Sequence, residues 1–205
     1  MKRLVIIGAG GHGRLIAGMA EKQGTYQEIL LLDDGAMTTS GQYSVVGKVK
    51  DFSAYLPDSD FFVAFGDNGL RRRVSEEVRA AGGRLMTFIH PSAIIDDDVT
   101  IGEGVAIIAG AVVNKGAVIG DGVILNTLSS VDHDSVVGAY SHIAVGAHIA
   151  GEVKIGESVF IGAGVNIIED IKVATGSTIG AGAVVVRTIT EAGTYVGVPA
   201  KKLVR

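Results

Sequence analysis

The sequence predicts two architectures in series: an α/β domain over residues 1–88, then an all-β parallel β-helix of hexapeptide repeats over residues 89–205. Three observations carry this. An aliphatic residue recurs at every sixth position from Ile89 through Ile95, Ile101, Ile107, Val113, Ile119, Leu125, Val131, Val137, Ile143, Ile149, Ile155, Ile161, Ile167, Val173 and Ile179 to Val185. A slimmer side chain follows four residues after each, as at Ala111, Ser129, Ser141 and Ala183. The first 88 residues lack this register and set short apolar runs between glycine loops and helix-like stretches.

A period of six fits neither the 3.6 of an α-helix nor an alternation of two, and the Gly and β-branched content disfavours helix. It fits a triangular coil. Each hexad supplies one short strand and one corner, three hexads close a turn, and turns stack as parallel strands. The seventeen aliphatic positions imply between five and six coils. Each buried aliphatic contributes roughly 1.5–3 kcal/mol gross, so many equal terms hold the stack. Gly102, Gly120, Gly138, Gly156, Gly162 and Gly180, each just after its aliphatic, are expected to relieve the backbone at the bend.

In the first domain Leu4–Ile7 reads as a buried strand, followed by Gly8-Ala9-Gly10-Gly11-His12-Gly13 and a helix from Arg14 to about Lys22. A second strand, Ile29–Leu32, ends at Asp33-Asp34. A third, Phe61–Phe65, runs into Gly66-Asp67-Asn68 and a charged helix over Arg71–Ala81. This order implies a small Rossmann-like parallel sheet with helices on its faces, about half of a full dinucleotide-binding domain. The glycine spacing matches GxGxxG, in which amides at a helix N-terminus approach a phosphate, and the acidic pair follows where a ribose or base contact is expected. The alternatives are a glycine turn that only lets strand and helix pack, and a dehydrogenase. The small sheet has little room for a second mononucleotide, so a single nucleotide, as in a nucleotide sugar, suits it better.

Composition bounds the function classes. The chain has 205 residues, a net charge of −4, 30 Gly and neither Cys nor Trp. That describes a soluble globular protein and argues against a nucleic-acid binder. No run of about 18 uncharged apolar residues predicts a membrane span, and the apolar run before Gly8 is too short for a signal sequence, which leaves the cytoplasm as the expected compartment. Without Cys, thiolate metal sites and a thiol nucleophile are excluded. No Ser sits in a nucleophile elbow either, so any group transfer is expected to be direct.

The coil departs from its bland pattern between Leu125 and Gly151, which holds three of the five histidines, His133, His142 and His148. His133 is the third residue of its hexad, which places it on a strand face near the outside, with the carboxylate of Asp134 next to it. An imidazole paired with a carboxylate can act as a general base near neutral pH; the bland alternative is surface histidines beside surface acids. His133 and His142 are nine residues apart, half of an 18-residue coil, so one chain does not readily bring them together. A site using both would lie between two prisms, and a cyclic homotrimer is the natural closure. The spacings of nine and fifteen after His133 put His142 and His148 on successive faces, against a γ-type carbonic anhydrase metal site, which needs three converging imidazoles. A non-catalytic nucleotide-sugar sensor stays open. His90, before Pro91, reads as a turn residue.

Taken together, the glycine loop, Asp33-Asp34, Gly66-Asp67-Asn68 with Arg71, His90-Pro91-Ser92-Ala93, Val131-Asp132-His133-Asp134, Ser141-His142-Ile143 and Gly197-Val198-Pro199-Ala200-Lys201 resemble the bacterial sugar O-/N-acyltransferase family. That family includes PglD-type UDP-4-amino-sugar acetyltransferases and NeuD-type sialic acid O-acetyltransferases, and the resemblance covers nearly the whole chain. It implies a left-handed β-helix and transfer of acetyl from acetyl-CoA, with no metal, to the amino group of a nucleotide-linked 4-amino-4,6-dideoxy sugar, UDP-linked, in glycan biosynthesis. Sialic acid O-acetylation is the alternative within the family. The resemblance implies His133 as general base and Asp134 as its acidic partner, where the PglD-type pattern has Glu. It implies His142 at the acetyl carbonyl region, the Gly151 amide at the oxyanion, and the backbone at Ala163 and Ala181 along the pantetheine and adenine path, with Lys201 and Lys202 near phosphates. Gly10, Gly11, His12, Asp33, Asp34 and Gly66 fall to the nucleotide sugar.

Overall fold

The computed structural model describes residues 2–35 and 38–204, and the chain divides into two compact units, Met1–Phe88 and Ile89–Arg205. The first unit contains β1 (Arg3–Ile7), α1 (Gly11–Gln23), β2 (Glu28–Leu32), β3 (Thr39–Ser40), β4 (Tyr43–Gly47), a 3-10 turn over Val49–Tyr55, β5 (Ser59–Val63), α2 (Asn68–Ala80) and β6 (Arg84–Leu85). The sheet order is β3-β4-β2-β1-β5-β6. All neighbours are parallel except the β3–β4 pair. Leu4, Val5, Ile6 and Ile7 are fully buried, as befits a central strand covered on both faces.

Both helices begin earlier than expected. The first starts inside the glycine loop, at Gly11 rather than Arg14, because Gly10 takes the N-cap position with extended backbone. The second starts at Asn68, because the Asp67 side chain accepts the Leu70 N–H at 2.7 Å and caps it. The third expected strand is displaced, to Ser59–Val63. β3, β4 and β6 escaped the sequence reading, being two-residue or half-exposed strands without an apolar run.

From Ile94 to Val185 the strands are two residues long and pair with one another in parallel register 18 residues apart, as Val113↔Val131 and Ile143↔Ile161; the final strands, Thr194–Val196 and Lys201–Lys202, pair antiparallel. They form three faces. The first includes Ile124–Leu125, His142–Ile143 and Phe160–Ile161; the second Val112–Val113, Ser130–Val131, His148–Ile149 and Asn166–Ile167; the third Val118–Ile119, Val136–Val137, Lys154–Ile155 and Lys172–Val173. The sixth-position aliphatics from Ile107 to Val185 are buried in one continuous core, with Ile95 and Ile101 only partly covered and Ile89 exposed. The slim positions also point inward. At two of the serines the hydroxyl is satisfied by backbone: Ser135 Oγ donates to the Ala150 carbonyl at 2.9 Å and accepts the Val153 N–H at 3.0 Å, and Ser141 bonds Gly156 and Val159 likewise.

The bend is not relieved where the sequence reading put it. Gly102, Gly120, Gly138, Gly156, Gly162 and Gly180 have ordinary backbone; a β-carbon there would run into the next coil, 2.7 Å from the Ala139 nitrogen at Gly120 and 2.6 Å from the Ala181 nitrogen at Gly162. They permit close stacking. The left-handed residue of each corner lies two positions later, at Gly104, Gly110, Gly116, Gly122, Leu128, Asp134, Tyr140, Gly146, Glu152, Ser158, Gly164, Asp170, Gly176 and Gly182.

Candidate active site

His133 lies on a corner, not on a strand face: Val131 ends a strand of the second face, and Asp134 takes the left-handed corner position with φ 57°. Aspartate tolerates that conformation better than most side chains. The corner turns the two neighbouring side chains toward each other, so that His133 Nδ1 and Asp134 Oδ2 are 3.0 Å apart. The shorter Asp therefore reaches the imidazole.

Two glycines bracket the pair. Gly151 is one coil on from His133, and a β-carbon there would lie 2.5 Å from His133 Nε2 and 2.6 Å from Cε1. One coil earlier, a β-carbon on Gly116 would lie 2.6 Å from Asp134 Oδ1. The edge of the imidazole bearing Nε2 thus rests over Gly151 while Nδ1 is engaged by the carboxylate.

The hydrogen bond to Asp134 raises the His133 pKa above its ordinary value, opposed by desolvation and aided by the charges of Asp132, Asp134 and Glu152. Asp132 is held the other way: the Asn114 amide at 2.7 Å and the His133 backbone N–H at 2.7 Å stabilise its carboxylate and lower its pKa. A shallow hollow of about 400 Å³ opens here, lined by Asp132, His133, Ala150, Gly151, Glu152, Glu169 and Asp170. A slightly larger hollow, of about 450 Å³, lies at Lys2, Arg3, Asp60 and Arg84 in the first unit. There Arg84 is already paired with Asp60 and Arg3 with Glu28, and no imidazole lines it.

His142 is elsewhere. It belongs to the first face, which lies opposite the corner between the second and third faces where His133 sits. Its Nε2 is 3.2 Å from Asn126 Nδ2, and its ring meets Phe160 edge-on, with centroids 5.2 Å apart. Ala163 and Ala181 are exposed and stacked one coil apart, Gly182 N–H bonding the Ala163 carbonyl at 2.8 Å, on the corner that borders His142's face. His148 lies on the second face with Nδ1 2.9 Å from Ser130 Oγ. The three histidines thus occupy one corner and two different faces of one prism, and among the described residues no group of three or more His, Asp or Glu side chains is arranged to hold a metal ion. Of the tail lysines, Lys202 pairs with Glu191 at 2.9 Å while Lys201 is exposed. His90 accepts the Ser92 N–H at 3.1 Å in a local turn.

In the first unit the chain leaves β1 toward β2 and returns on its other side as β5, so the carboxyl ends of β1 and β5 form the crevice where open α/β sheets bind ligands. Three glycines of the loop do different work. Gly8 has φ 109°, Gly10 has open space where a side chain would be, and Gly13 presses so closely on the Gly8 carbonyl that any β-carbon would overlap it. Gly11 is exposed, and His12 meets Phe62 edge-on at 6.0 Å. Asp33 spends one oxygen on the loop, accepting Ala9 N–H at 2.8 Å, and the other on its own turn, accepting Gly35 N–H at 2.8 Å; the exposed Asp34 accepts Val49 N–H at 3.0 Å. Across the crevice Gly66 is exposed with open space above it. The buried Arg71 guanidinium fixes its loop through the Phe65 carbonyl at 2.8 Å and Asn68 Oδ1 at 2.8 Å.

Sequence reasoning missed Asn114, Gly116 and the part played by Asp132 and Asn126. A usable signal existed: at the position directly after each aliphatic, from Gly102 to Gly180, the chain carries Gly, Ala or Ile except at Asn114, Asn126 and Asp132.

Residues 3–78 match the family described as PglD N-terminal domain, and residues 152–187 match bacterial transferase hexapeptide (six repeats). UDP-N-acetylbacillosamine N-acetyltransferase of Bacillus subtilis (strain 168) is 34% identical over 113 residues, a match spanning 53% of this chain and about half, 52%, of that protein. Among solved structures, the acetyltransferase domain of PglB from Neisseria gonorrhoeae FA1090 in complex with acetyl coenzyme A is 41% identical, with a TM-score of 0.94 over 98% of both chains. PerB from Caulobacter crescentus in complex with CoA and GDP-perosamine is 36% identical, with a TM-score of 0.92 over 98% of this chain and 96% of that one.

Proposed function

The chain belongs to the family of PglD-type hexapeptide-repeat sugar N-acetyltransferases, and we propose that it transfers acetyl from acetyl-CoA to the amino group of a UDP-linked 4-amino-4,6-dideoxy sugar. It acts as a cytoplasmic homotrimer in bacterial glycan biosynthesis. No helix among the described residues is long and apolar enough to cross a membrane.

The observation that carries this reading is the His133 corner: Nδ1 held by Asp134 at 3.0 Å and Nε2 over Gly151. With Nδ1–H donated to the carboxylate, the Nε2 lone pair is free to take a proton. The acceptor amine attacks the thioester carbonyl; as the C–N bond forms, Nε2 removes the amine proton. The Gly151 N–H, which donates to no group among the described residues, stabilises the oxyanion. Collapse breaks the C–S bond, and the CoA thiolate leaves with the proton from the imidazolium. His142 serves the acetyl end and the backbone at Ala163 and Ala181 the rest of the coenzyme, while Gly10, Gly11, His12, Asp33, Asp34 and Gly66 shape the nucleotide-sugar crevice. Because His133 and His142 lie on opposite sides of one prism, each active site takes one from each of two neighbouring copies.

The test is acetyl-CoA consumption against a panel of nucleotide-linked amino sugars, with mass spectrometry locating the acyl group. An amide on the sugar nitrogen is expected. An ester would turn the reading to O-transfer, and no transfer together with no thermal shift from acetyl-CoA would leave a nucleotide-sugar sensor.

A further inference from the structure

We infer that Asn114 and Asp132 form a positioning clamp for the general base, holding the backbone of His133 so that its ring stands over Gly151. Asn114 Nδ2 donates to Asp132 Oδ1 at 2.7 Å across one coil, and the same oxygen accepts the His133 backbone N–H at 2.7 Å. Two donors converge on one carboxylate oxygen, and the second belongs to the residue whose ring does the chemistry.

The coil does not need this clamp to fold. Where the residue after the aliphatic is Gly138, Ala144, Gly162 or Gly180, with no side-chain acceptor, the chain closes the same left-handed corner at Tyr140, Gly146, Gly164 and Gly182. Side chains able to hold a corner occur at three of these positions, and all three lie beside the histidines: Asn126 contacts His142, while Asn114 holds Asp132, which accepts the His133 N–H. The His133 side chain is more than half exposed, so packing alone does not fix its ring. A base displaced by an ångström loses much of its rate, which gives the clamp its value.

The inference rests on His133 being the base, and its test separates the two. Four purified variants are compared by steady-state kinetics and thermal melting: Asp132→Ala, Asp132→Asn, Asn114→Ala and His133→Ala. Asp132→Asn keeps an acceptor oxygen for the His133 N–H and is expected to retain kcat within about threefold. Asp132→Ala loses about tenfold or more in kcat and Asn114→Ala a smaller amount, both with the KM for acetyl-CoA unchanged. If His133→Ala is inactive while Asp132→Ala and Asn114→Ala turn over like the unaltered protein, the clamp is refuted and the base stands. If Asp132→Asn falls as far as Asp132→Ala, the carboxylate acts by charge and the positioning role is refuted. A fully active His133→Ala removes both. Should Asp132→Ala melt early, Asn114→Ala decides alone, since its side chain lies outside the prism core.

Discussion

Gly151 stands one coil from His133, and its missing side chain is what makes room for the imidazole: a β-carbon would sit 2.5 Å from Nε2. The backbone of Gly151 is not left-handed, so its glycine identity answers to the ring and not to the turn. Gly151→Ala is therefore expected to fold, with a melting temperature close to the unaltered protein, and to lose at least about tenfold in kcat as the ring is pushed aside. Unchanged turnover in that variant would show that the ring need not rest there.

His133→Ala removes the proton acceptor and is expected to lower kcat by roughly 10²–10⁴. Binding of the nucleotide sugar, measured by calorimetry, should be nearly unchanged, because the crevice between β1 and β5 is built from other residues.

The pH profile carries a sign. Transfer needs neutral imidazole, so kcat/KM rises as pH increases through the His133 pKa, which Asp134 raises above its ordinary value. Asp134→Asn withdraws the largest contribution and should move the acidic limb to lower pH, part of the elevation persisting through Asp132 and Glu152. A limb that stays fixed, or moves up, would mean that another group titrates.

Gly13→Ala addresses the first unit. A β-carbon would overlap the Gly8 carbonyl oxygen, forcing α1 away from β1; overpacking of this kind costs about 1–3 kcal/mol. Calorimetry should show weakened nucleotide-sugar binding. Gly10→Ala, at a position with open space, should leave stability unaltered, which separates packing from phosphate approach.

The core of the β-helix is equally open to test. Ile143 is fully buried in the prism, and Ile143→Ala is expected to destabilise by about 2–5 kcal/mol in denaturant melts.

The hexad register was legible because every buried position repeats, so the three faces and the pairing 18 residues apart follow from counting. What counting could not reveal is which glycine does what. Gly120 and Gly122 look alike in a string, yet one makes space for the next coil and the other turns the corner at φ 62°; only the stacked neighbour distinguishes them. The same blindness hid Gly116 and Asn114, whose partners Asp134 and Asp132 lie one full coil away. His133 and Asp134 were readable as a pair because they adjoin in sequence. The placement of His133 on a corner rather than a face was not, since that depends on Asp134 accepting a left-handed backbone that most of the other corners give to glycine.

Subunit mixing tests the central claim most directly. His133→Ala and His142→Ala preparations, each deficient alone, are combined under conditions of subunit exchange and assayed for acetyl transfer. If a site draws His133 from one copy and His142 from its neighbour, equal mixing restores sites carrying both imidazoles, about one quarter of the total in a cyclic assembly. If activity stays at the level of the separate variants after exchange is verified by mass, the two histidines do not serve one shared site.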